Sequence, residues 1–491
     1  MNPPFEWTDE QVRTALQVEP HDDCGLTFTG ISTDSRTTRE GDLFVALCGD
    51  NFDGHDYVSD ALGQGARGAV VARSVEADGA CVYSVEDTLL ALGQLALHRR
   101  RQLDAVVVGI TGSSGKTGTK ELTRAAIEGS RRVHATPGNL NNRVGLPLTL
   151  LDAPDDAEVV VLEMGTNEPG EIAELTRIAE PQIGIVTTVS ETHIEKLESL
   201  EGVLAEKLDL LRGLPDDGTA IVGEEPAILS EYASSIPRDV LVVGLGTGAD
   251  AEYRPDDASV DEQGCWSFVW RGEPVHLRVP GRHSVQNALL ALTVAELLDV
   301  PAAEAAAGVG RVEAGDMRGE IRRIGGLTLI VDCYNANPQS VRAALDLLVD
   351  FEPGRTKVAV LGSMLELGAR SEELHTVLLD EASTLGLDLI VATGDFARAA
   401  TQSQPQTQPQ TQAQPQTQAQ PQARSGESAG AGPTILSAVD PLEAYEELRG
   451  RLAGDEVLLM KASRGVALER LIPLFESDFG GSNQASGELE A

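Results

Sequence analysis

The sequence is poor in positive charge, and lysine in particular is rare. Of its 491 residues, 77 are acidic, 38 are basic and only six are lysine, so the net charge is −39. A field this negative repels phosphate backbones and anionic lipid headgroups. We therefore expect no nucleic-acid partner. Such an acid excess is typical of proteins from salt-accumulating microbes; a high-GC genome that prefers arginine to lysine is the alternative explanation.

Long apolar segments and cysteines are also scarce. No apolar run reaches the roughly 18 residues that a membrane-spanning helix needs, so we expect no membrane insertion. The first residues have neither the basic region nor the apolar core of a signal peptide. The five cysteines are odd in number and lack CxxC spacing, which favours reduced thiols without a disulfide framework or a zinc site. Together these absences predict a cytoplasmic protein.

The apolar residues that are present form strand-like runs separated by helix-like stretches. This alternation predicts parallel sheets with helices on both faces. At roughly 100–200 residues per domain, the length predicts three domains. We predict an α/β fold with a small α/β N-terminal domain (1–103), a central P-loop parallel-sheet ATPase domain (104–314) and a C-terminal Rossmann-like domain (315–478).

The same pattern places individual elements within the second and third domains. The predicted strands are 105–110, 158–164, 182–189, 327–331, 357–361, 388–392 and 456–460. The predicted helices are 116–128, 288–298, 339–350, 371–385, 440–453 and 466–475.

The third domain is interrupted by a Gln/Pro/Thr repeat at about 400–432. Frequent prolines exclude a helix there, and almost nothing apolar is available for burial. The composition therefore predicts a disordered insertion. Residues 479–491, which are rich in glycine, serine and acids, are predicted to form a loose tail.

The most specific motif lies between a predicted strand and a predicted helix. Residues 112–117 (GSSGKT) match the GxxGK[ST] form of a phosphate-binding loop. In such a loop, backbone N–H groups and the helix N-terminus hold polyphosphate oxygens. Lys116 would reach the β- and γ-phosphates, and Thr117 would offer its hydroxyl to Mg²⁺. The motif predicts a nucleotide but does not define the reaction.

Two further polar residues follow predicted strands at the carboxyl edge of the sheet, where ligands of parallel sheets bind. Glu163 ends one strand, and His193 follows the next. On position alone, Glu163 could also be a solvated acid and His193 a structural histidine.

Several segments resemble the Mur ligases, which build the peptide of bacterial cell-wall precursors. They are TGSSGKT at 111–117, GNLNNRVGLP at 138–147, GRHSVQN at 281–287, DCYNANPQS at 332–340, LGSMLELG at 361–368 and KASR at 461–464. Near the N-terminus, STDSR at 32–36 is similar to the family's uridine-nucleotide-binding domain. The resemblance covers about residues 26–475, apart from the 401–432 region.

The YNANP segment is most similar to the family members that add D-alanyl-D-alanine to UDP-N-acetylmuramoyl-tripeptide. The resemblance therefore implies an ATP-dependent amide ligase of peptidoglycan precursor synthesis that works through an acyl phosphate. Its partners would be UDP-N-acetylmuramoyl-tripeptide, D-Ala-D-Ala and ATP, and we expect a monomer. Another ligase of the superfamily (a tripeptide synthetase or a folylpolyglutamate synthetase) and a catalytically silent precursor-binding protein are the alternatives.

The resemblance also implies a role for individual residues. The catalytic residues would be Lys116, His193, Lys207 and Arg318. ATP would be bound by Gly112, Ser113, Ser114, Gly115, Lys116, Thr117, Gly118, Asn287, Arg318, Asp332 and Tyr334. The other substrates would be bound by Ser35, Arg36, Asn139, Asn141, Asn142, Asn335, Asn337, Lys461, Ser463 and Arg464. Two Mg²⁺ ions would be held by Thr117, Glu163, His193 and Lys207 as its carbamate.

Lys207 lies in SLEGVLAEKLD at 199–209, which is similar to the family segment that carries a lysine carbamylated by CO₂. A carbamate would supply the oxygen ligand that Mg²⁺ prefers, whereas an ammonium would be repelled. The alternative is a helix-surface lysine paired with an acid three or four residues away, but only valine and leucine stand at those positions. The segment departs from the family at Glu206, where alanine is usual, and at Asp209, where glutamate is usual.

Some of these residues also have simpler explanations. Asn287 could be a helix N-cap, Arg318 could be solvated, and the segment 334–338 could be only a turn. The pair at 35–36 could be surface residues. Further departures from the family pattern are Gly118, Ser363 and Ala462, and none of them removes a group from the phosphate site.

Overall fold

The computed structural model describes residues 5–19, 24–49, 51–77, 79–403 and 433–483. The predicted insertion at 400–432 falls almost entirely outside the described residues, as does most of the predicted tail. The chain forms two compact units: residues 1–259, 266–278 and 283–312 belong to the first, and residues 260–265, 279–282 and 313–491 to the second. Every helix in the described ranges is too short or too polar to span a bilayer.

The first unit begins with a small four-stranded sheet of parallel strands in the order β3-β4-β7-β8. Its elements are β1 (Trp7–Thr8), α1 (Asp9–Leu16), β2 (Thr27–Phe28), β3 (Gly30–Ser32), β4 (Asp42–Val45), β5 (Cys48–Gly49), β6 (Phe52–Asp53), α2 (Val58–Gly63), β7 (Gly68–Val71), β8 (Cys81–Ser84) and α3 (Thr88–Arg100).

The last turn of α3 connects this small sheet to the elements that follow it. Arg99 is 1% exposed and donates a hydrogen bond to the carbonyl of Ala153 at 2.6 Å. Arg100, also buried, donates to the carbonyls of Ala179 at 2.8 Å and Glu180 at 3.1 Å. Buried guanidinium groups are stable only when partnered, so these bonds fix α3 against the next part of the same unit.

The first unit continues with a larger sheet, whose elements alternate as the sequence pattern predicts. They are β9 (Val106–Thr111), α4 (Lys116–Ile127), β10 (Val133–Ala135), α5 (Gly145–Leu151), β11 (Val159–Glu163), α6 (Glu171–Ala179), β12 (Ile183–Val186), α7 (Ile194–Leu197), α8 (Leu200–Arg212), β13 (Thr219–Gly223), α9 (Ala227–Ala233), β14 (Val240–Val243), β15 (Asp256–Val260), β16 (Trp266–Trp270), β17 (Glu273–His276), α10 (Arg282–Leu297) and α11 (Ala302–Val309).

This sheet has six parallel strands in the order β10-β11-β9-β12-β13-β14. Neighbouring residues of β9 point to opposite faces, so that Val107 packs into one apolar cluster and Val108 into another. A sheet buried on both faces accounts for the continuous β-branched run in the sequence. Glu163 stands opposite Ile110 and Val186 opposite Thr111, so the carboxyl ends of β11, β9 and β12 share one edge.

The second unit contains a six-stranded sheet in the order β18-β19-β23-β20-β21-β22, parallel except for β18. Its elements are β18 (Glu320–Ile324), β19 (Leu327–Asp332), α12 (Pro338–Asp350), β20 (Lys357–Leu361), α13 (Ser371–Ser383), β21 (Leu389–Thr393), α14 (Asp395–Ser403), β22 (Thr434–Ala438), α15 (Pro441–Arg449), β23 (Val457–Lys461) and α16 (Ile472–Phe479).

The α/β fold with three principal sheets confirms the predicted fold class, and most predicted strands agree with the structure to within one or two residues. Two helices differ. The helix predicted at 288–298 already begins at Arg282, and the one predicted at 466–475 is replaced by two short 3₁₀ turns followed by α16.

The cysteine prediction was wrong. Cys24, just before β2, and Cys81, at the start of β8, form a disulfide with their Cα atoms 6.1 Å apart. The two lie 57 residues apart in sequence and are brought together only by the fold, which is why spacing motifs did not reveal them. Cys48, Cys265 and Cys333 are thiols outside this disulfide.

Candidate active site

The loop 112–115 between β9 and α4 depends on two glycines. Gly112 and Gly115 have φ values of +151° and +81°, a region that L side chains rarely adopt. A Cβ atom at Gly112 would collide with the Thr187 hydroxyl, and one at Gly115 would lie 2.6 Å from Oδ1 of Asn287. The backbone therefore turns tightly into the N-terminus of α4, as phosphate binding requires.

Two serines of this loop bind it to the segment 188–192, which follows β12. Oγ of Ser113 accepts hydrogen bonds from the Ser190 N–H at 2.9 Å and from the Thr192 hydroxyl at 3.0 Å. The Ser113 N–H donates to the carbonyl of Thr188, and the Ser114 N–H donates to the hydroxyl of the same threonine at 3.2 Å. Since these groups are committed to the protein, the N–H groups that remain for a phosphate are those of the first turn of α4.

Lys116 and Asn287 lie on either side of the loop. Nζ of Lys116 donates to the carbonyl of Gly112 at 2.7 Å. Asn287 is buried within α10, five residues after the helix begins, so the alternative that it is an N-cap was wrong. A Cβ atom at Gly118 would lie 3.0 Å from Nδ2 of Asn287, so a side chain here would require Asn287 to shift slightly. Thr117 is half-buried in the first turn of α4.

Glu163 ends β11 and is 2% exposed. Its Oε1 accepts a hydrogen bond from Nδ2 of Asn141 at 2.7 Å, and its N–H donates to Oγ1 of Thr136 at 3.0 Å. Its Oε2 is buried and accepts no hydrogen bond from the described residues. An unsatisfied buried carboxylate oxygen is costly, and a hard cation such as Mg²⁺ prefers oxygen ligands. The site therefore fits a divalent metal.

His193 lies in the loop after β12, directly before α7. Its φ of +54° is uncommon for a residue other than glycine. Its carbonyl accepts the N–H groups of Lys196 and Leu197, so the short helix holds it in this conformation. Strained backbone of this kind clusters at functional sites.

Lys207, on α8, is 1% exposed, and the described residues give it no ion-pair partner. Burial lowers the pKa of its amine well below the usual value, and the positive charge of Lys116 lowers it further, while Glu206 and Glu171 act in the opposite direction. The neutral amine is the form that reacts with CO₂. The helix-surface alternative is wrong, because the side chain is buried.

Glu206 explains one departure from the family pattern. Its carboxylate accepts the N–H of Gly170 at 2.7 Å and that of Ile172 at 2.8 Å, and it accepts the hydroxyl of Thr166 at 3.2 Å. These N–H groups belong to the start of α6, where a negative charge is favourable. Glu206 is therefore a buried cap for the loop that follows Glu163.

The three predicted asparagines after β10 have different surroundings. Asn139 is exposed, whereas Asn141 is half-buried and bonded to Glu163. Oδ1 of Asn142 accepts the N–H groups of Val144 and Gly145 at the start of α5. Asn142 thus shapes the local turn, and Asn141 connects the loop to the candidate metal site.

In the small N-terminal sheet, Ser35 and Arg36 lie in a turn after β3. The Arg36 side chain is 85% exposed and forms an ion pair with Asp34 at 2.6 Å. Hydrogen bonds from Arg36 hold the pKa of the Asp34 carboxyl at about 2. The guanidinium is thus held on the protein surface, where a ligand can reach it.

In the second unit, Arg318 and Tyr334 contact each other. The Arg318 guanidinium lies over the Tyr334 ring, 3.9 Å from its centroid. The Tyr334 N–H also donates to the carbonyl of Met317 at 3.2 Å. Arg318 is therefore held by an aromatic neighbour while it remains half-exposed.

Asp332 and Lys461 are opposite residues of the paired strands β19 and β23. Nζ of Lys461 lies 2.9 Å from Oδ2 of Asp332 and donates to the carbonyl of Asn335 at 2.7 Å. Lys461 is 2% exposed, and the Asp332 side chain is 25% exposed. The lysine thus supports the segment after β19, and the aspartate keeps access to solvent.

Asn337 is 2% exposed, and its Oδ1 accepts the Ser340 N–H as the N-cap of α12. Asn337 thus caps α12 directly after the turn that carries Asn335, and its predicted substrate contact stays a prediction. Ser463 is likewise buried and its Oγ accepts the N–H of Leu365 at 3.0 Å. Arg464 is exposed and lies 3.4 Å from Glu469.

One buried lysine beside the site was not among the predicted residues. Lys120 is fully buried in α4, one turn after Lys116, and its Nζ lies 3.9 Å from Oε2 of Glu163. The only signal in the sequence was the rarity of lysine itself. The partners of Lys120 come from a loop 16 and 18 residues further along the chain, which no local motif reveals.

Three models of the Mur ligase family match this chain in order. The catalytic-domain model matches residues 27–100, the middle-domain model matches residues 110–295, and the glutamate-ligase-domain model matches residues 317–464. Together they span most of the described residues and contain both the phosphate loop and the Arg318–Tyr334 pair.

The UDP-N-acetylmuramoyl-tripeptide–D-alanyl-D-alanine ligase of Bacillus subtilis is 38% identical over 70% of this chain and 76% of its own length. The crystal structure of MurF from Acinetobacter baumannii superposes with a TM-score of 0.82 at 29% identity, covering 97% of this chain and all of that one. MurF from Thermotoga maritima, solved in complex with ADP, gives a TM-score of 0.77 at 28% identity over 92% of this chain and 97% of that one. This chain belongs to the Mur ligase family.

Proposed function

We propose that this protein is the ATP-dependent ligase that joins D-alanyl-D-alanine to UDP-N-acetylmuramoyl-tripeptide in cytoplasmic peptidoglycan precursor synthesis. The observation that carries the proposal is its 38% identity with the Bacillus subtilis enzyme of that name. A phosphate loop, a buried acid and a buried lysine in one unit support it. The protein acts as a monomer, with domains at 1–103, 104–314 and 315–478.

The nucleotide is held chiefly by the phosphate loop. The first turn of α4 presents N–H groups to the phosphates, and Lys116 moves from the Gly112 carbonyl to a phosphate oxygen when ATP binds. Asn287, which lies against the loop, contacts the adenine. Asp332 accepts hydrogen bonds from the ribose, and Arg318, oriented by Tyr334, binds the γ-phosphate as a planar fork of donors.

Two Mg²⁺ ions fit the donor set of this chain. Thr117, Glu163, His193 and Lys207 as its carbamate would together hold the two ions. When bound, the metal neutralises charge on the phosphate oxygens. The low pKa of Lys207 supports carbamylation, because only the neutral amine combines with CO₂.

The chain's residues orient two anionic reactants for successive transfers. The tripeptide carboxylate takes the γ-phosphate of ATP to give an acyl phosphate, and the amine of D-Ala-D-Ala then displaces phosphate to form the amide. Asn139 and Asn141 hold the UDP-tripeptide together with Ser35 and Arg36. Lys461 and Arg464 hold the dipeptide, and Lys461 does so by fixing the turn at Asn335, whose carbonyl accepts its hydrogen bond. Such positioning accounts for much of the rate in phosphoryl transfer.

The direct test is phosphate release from ATP with UDP-N-acetylmuramoyl-tripeptide, comparing D-Ala-D-Ala with free amino acids as acceptors. We expect release that depends on D-Ala-D-Ala and is lost in Lys116→Ala. Release with a free amino acid instead would favour another ligase of the superfamily. No release with any acceptor would favour a silent precursor-binding protein.

A further inference from the structure

Lys120 is a buried cation that the proposed mechanism leaves without a role. It is 0% exposed and lies one helical turn after Lys116 on α4. Burying a lysine ammonium costs free energy unless its three N–H groups are partnered. A chain with only six lysines places two of them on successive turns of the phosphate-loop helix, and the second points away from the loop.

The partners of Lys120 come from the segment 136–142, which we call the asparagine loop. Nζ donates to the carbonyls of Thr136 at 2.8 Å and Gly138 at 3.0 Å. It also lies 3.1 Å from Oε1 of Glu121 and 3.9 Å from Oε2 of Glu163. One ammonium therefore connects α4, the asparagine loop and the end of β11.

The asparagine loop in turn surrounds Glu163. Thr136 accepts the N–H of Glu163 through Oγ1 at 3.0 Å, and Asn141 donates to Oε1 at 2.7 Å. The carbonyl of Asn141 accepts the N–H of Gly165 at 2.7 Å. These contacts leave Oε2, the oxygen nearest Lys120, without a hydrogen bond from the described residues.

Lys357 shows what a buried lysine with a purely structural role looks like in the same chain. Its Nζ donates to the backbone carbonyls of Phe351 and Glu352, before the start of β20 and at the opposite end of that strand from the site residues. Among the described residues, neither of the two site carboxylates that lie near a buried lysine, Glu163 and Asp332, is paired with Lys357. Lys120 differs because its charge faces Glu163.

We propose that Lys120 is a positioning residue for the ligation, which holds the asparagine loop and the Glu163 carboxylate in the arrangement that the metal and the UDP-tripeptide require. It acts through Asn141 and Glu163 and touches neither substrate. One side chain thereby positions both the asparagine loop and Glu163 relative to α4, the helix that follows the phosphate loop. This inference rests on the proposed ligase function.

The test compares Lys120→Met with Lys120→Arg and with the control Lys357→Met. For Lys120→Met we expect the Kd for Mn²⁺, measured by titration calorimetry in the presence of ADP, to rise about tenfold or more, as is usual when a neighbour of a metal ligand is removed. The KM for UDP-tripeptide should rise with it, and hydrogen exchange of the asparagine loop should quicken. Lys120→Arg, which keeps the charge and donors, should recover part of each loss.

Lys357→Met should lower the melting temperature and leave Mn²⁺ binding and the KM for UDP-tripeptide unchanged. The positioning role would be overturned if Lys120→Met lowered stability like the control and kept the parental Mn²⁺ affinity and loop exchange. If the methionine variant does not fold, the arginine variant decides: a folded protein with weaker Mn²⁺ binding and faster exchange of the asparagine loop supports the role, and a lowered melting temperature with parental Mn²⁺ affinity and loop exchange overturns it. Wild-type protein without D-Ala-D-Ala-dependent phosphate release would instead refute the ligase function, while the Mn²⁺ and exchange measurements would still report on Lys120.

Discussion

The Arg318 guanidinium stacks on the Tyr334 ring at 3.9 Å from its centroid. Cation–π contacts contribute about 1–2 kcal/mol when partly desolvated. Tyr334→Ala should therefore raise the KM for ATP about five- to thirtyfold, because Arg318 loses its orientation. Tyr334→Phe keeps the ring and should stay near the parental value. Steady-state kinetics with varied ATP checks both, and an equal loss in the phenylalanine variant would assign the effect to the hydroxyl.

Lys207→Ala should remove most of the activity, since the buried amine can no longer be carbamylated. Small carboxylates such as formate or acetate should restore part of it by filling the vacated oxygen position. The control is Lys196→Ala, an exposed lysine that pairs with Glu168 and should leave turnover unchanged. Phosphate release with and without added formate is the measurement. Full activity of Lys207→Ala without formate would contradict carbamylation.

Gly115→Ala should damage both stability and nucleotide binding. An alanine at φ +81° is strained by about 1–2 kcal/mol, and its Cβ would meet Asn287. Gly129→Ala is the matched control, because its Cβ would have only ordinary contact with Glu304. Thermal unfolding and ADP titration of both variants decide the matter. Parental ADP affinity in Gly115→Ala would show that the loop tolerates a side chain.

The thiols outside the disulfide should differ in their reaction with iodoacetamide. Burial raises the pKa of Cys333 to about 12, so at pH 8 its thiol stays protonated and the thiolate that reacts is almost absent. Reactivity at this site should rise as the pH is increased above 8. Cys48 is exposed and should be modified first. Mass spectrometry of timed digests gives the order, and equal rates at pH 8 would refute the burial of Cys333.

Replacing residues 404–432 with a short Gly/Ser linker should change the melting temperature and turnover little. The elements on either side hold each other directly, since the Ser437 hydroxyl of β22 donates to the Ala397 carbonyl of α14 at 3.2 Å. Calorimetry and phosphate release on the shortened chain provide the check. A large fall in stability would show that the removed residues pack on the domain.

Much of the fold could be predicted from sequence, because buried parallel strands are short β-branched runs between helices. The strand at 357–361 was predicted to the residue. The strands that were missed include two edge strands: β10 has only three residues, and β22 has one buried residue among five. Elements this short or this exposed carry too few apolar residues for a periodic signal.

The candidate site, too, could be predicted from the sequence only in part. The phosphate loop is contiguous in sequence, so its glycines could be recognised and their φ angles explain them. The roles of Glu206 and Lys120 depend on hydrogen-bond partners that are distant in sequence. The role of Asn337 depends on its side-chain oxygen accepting a hydrogen bond as a helix N-cap. Such roles require coordinates, because spacing alone does not distinguish a ligand from the residue that holds the ligand.

The two arginines that end α3 have a consequence for how the protein melts. Arg99 and Arg100 anchor the small first sheet to carbonyls of the larger second sheet's helices and loops, so neither sheet can lose its structure without exposing buried guanidinium groups. We therefore expect the first unit to unfold cooperatively and the isolated first hundred residues to be less stable than the whole unit. A truncation made to test the proposed uridine-nucleotide binding should retain the chain through residue 312.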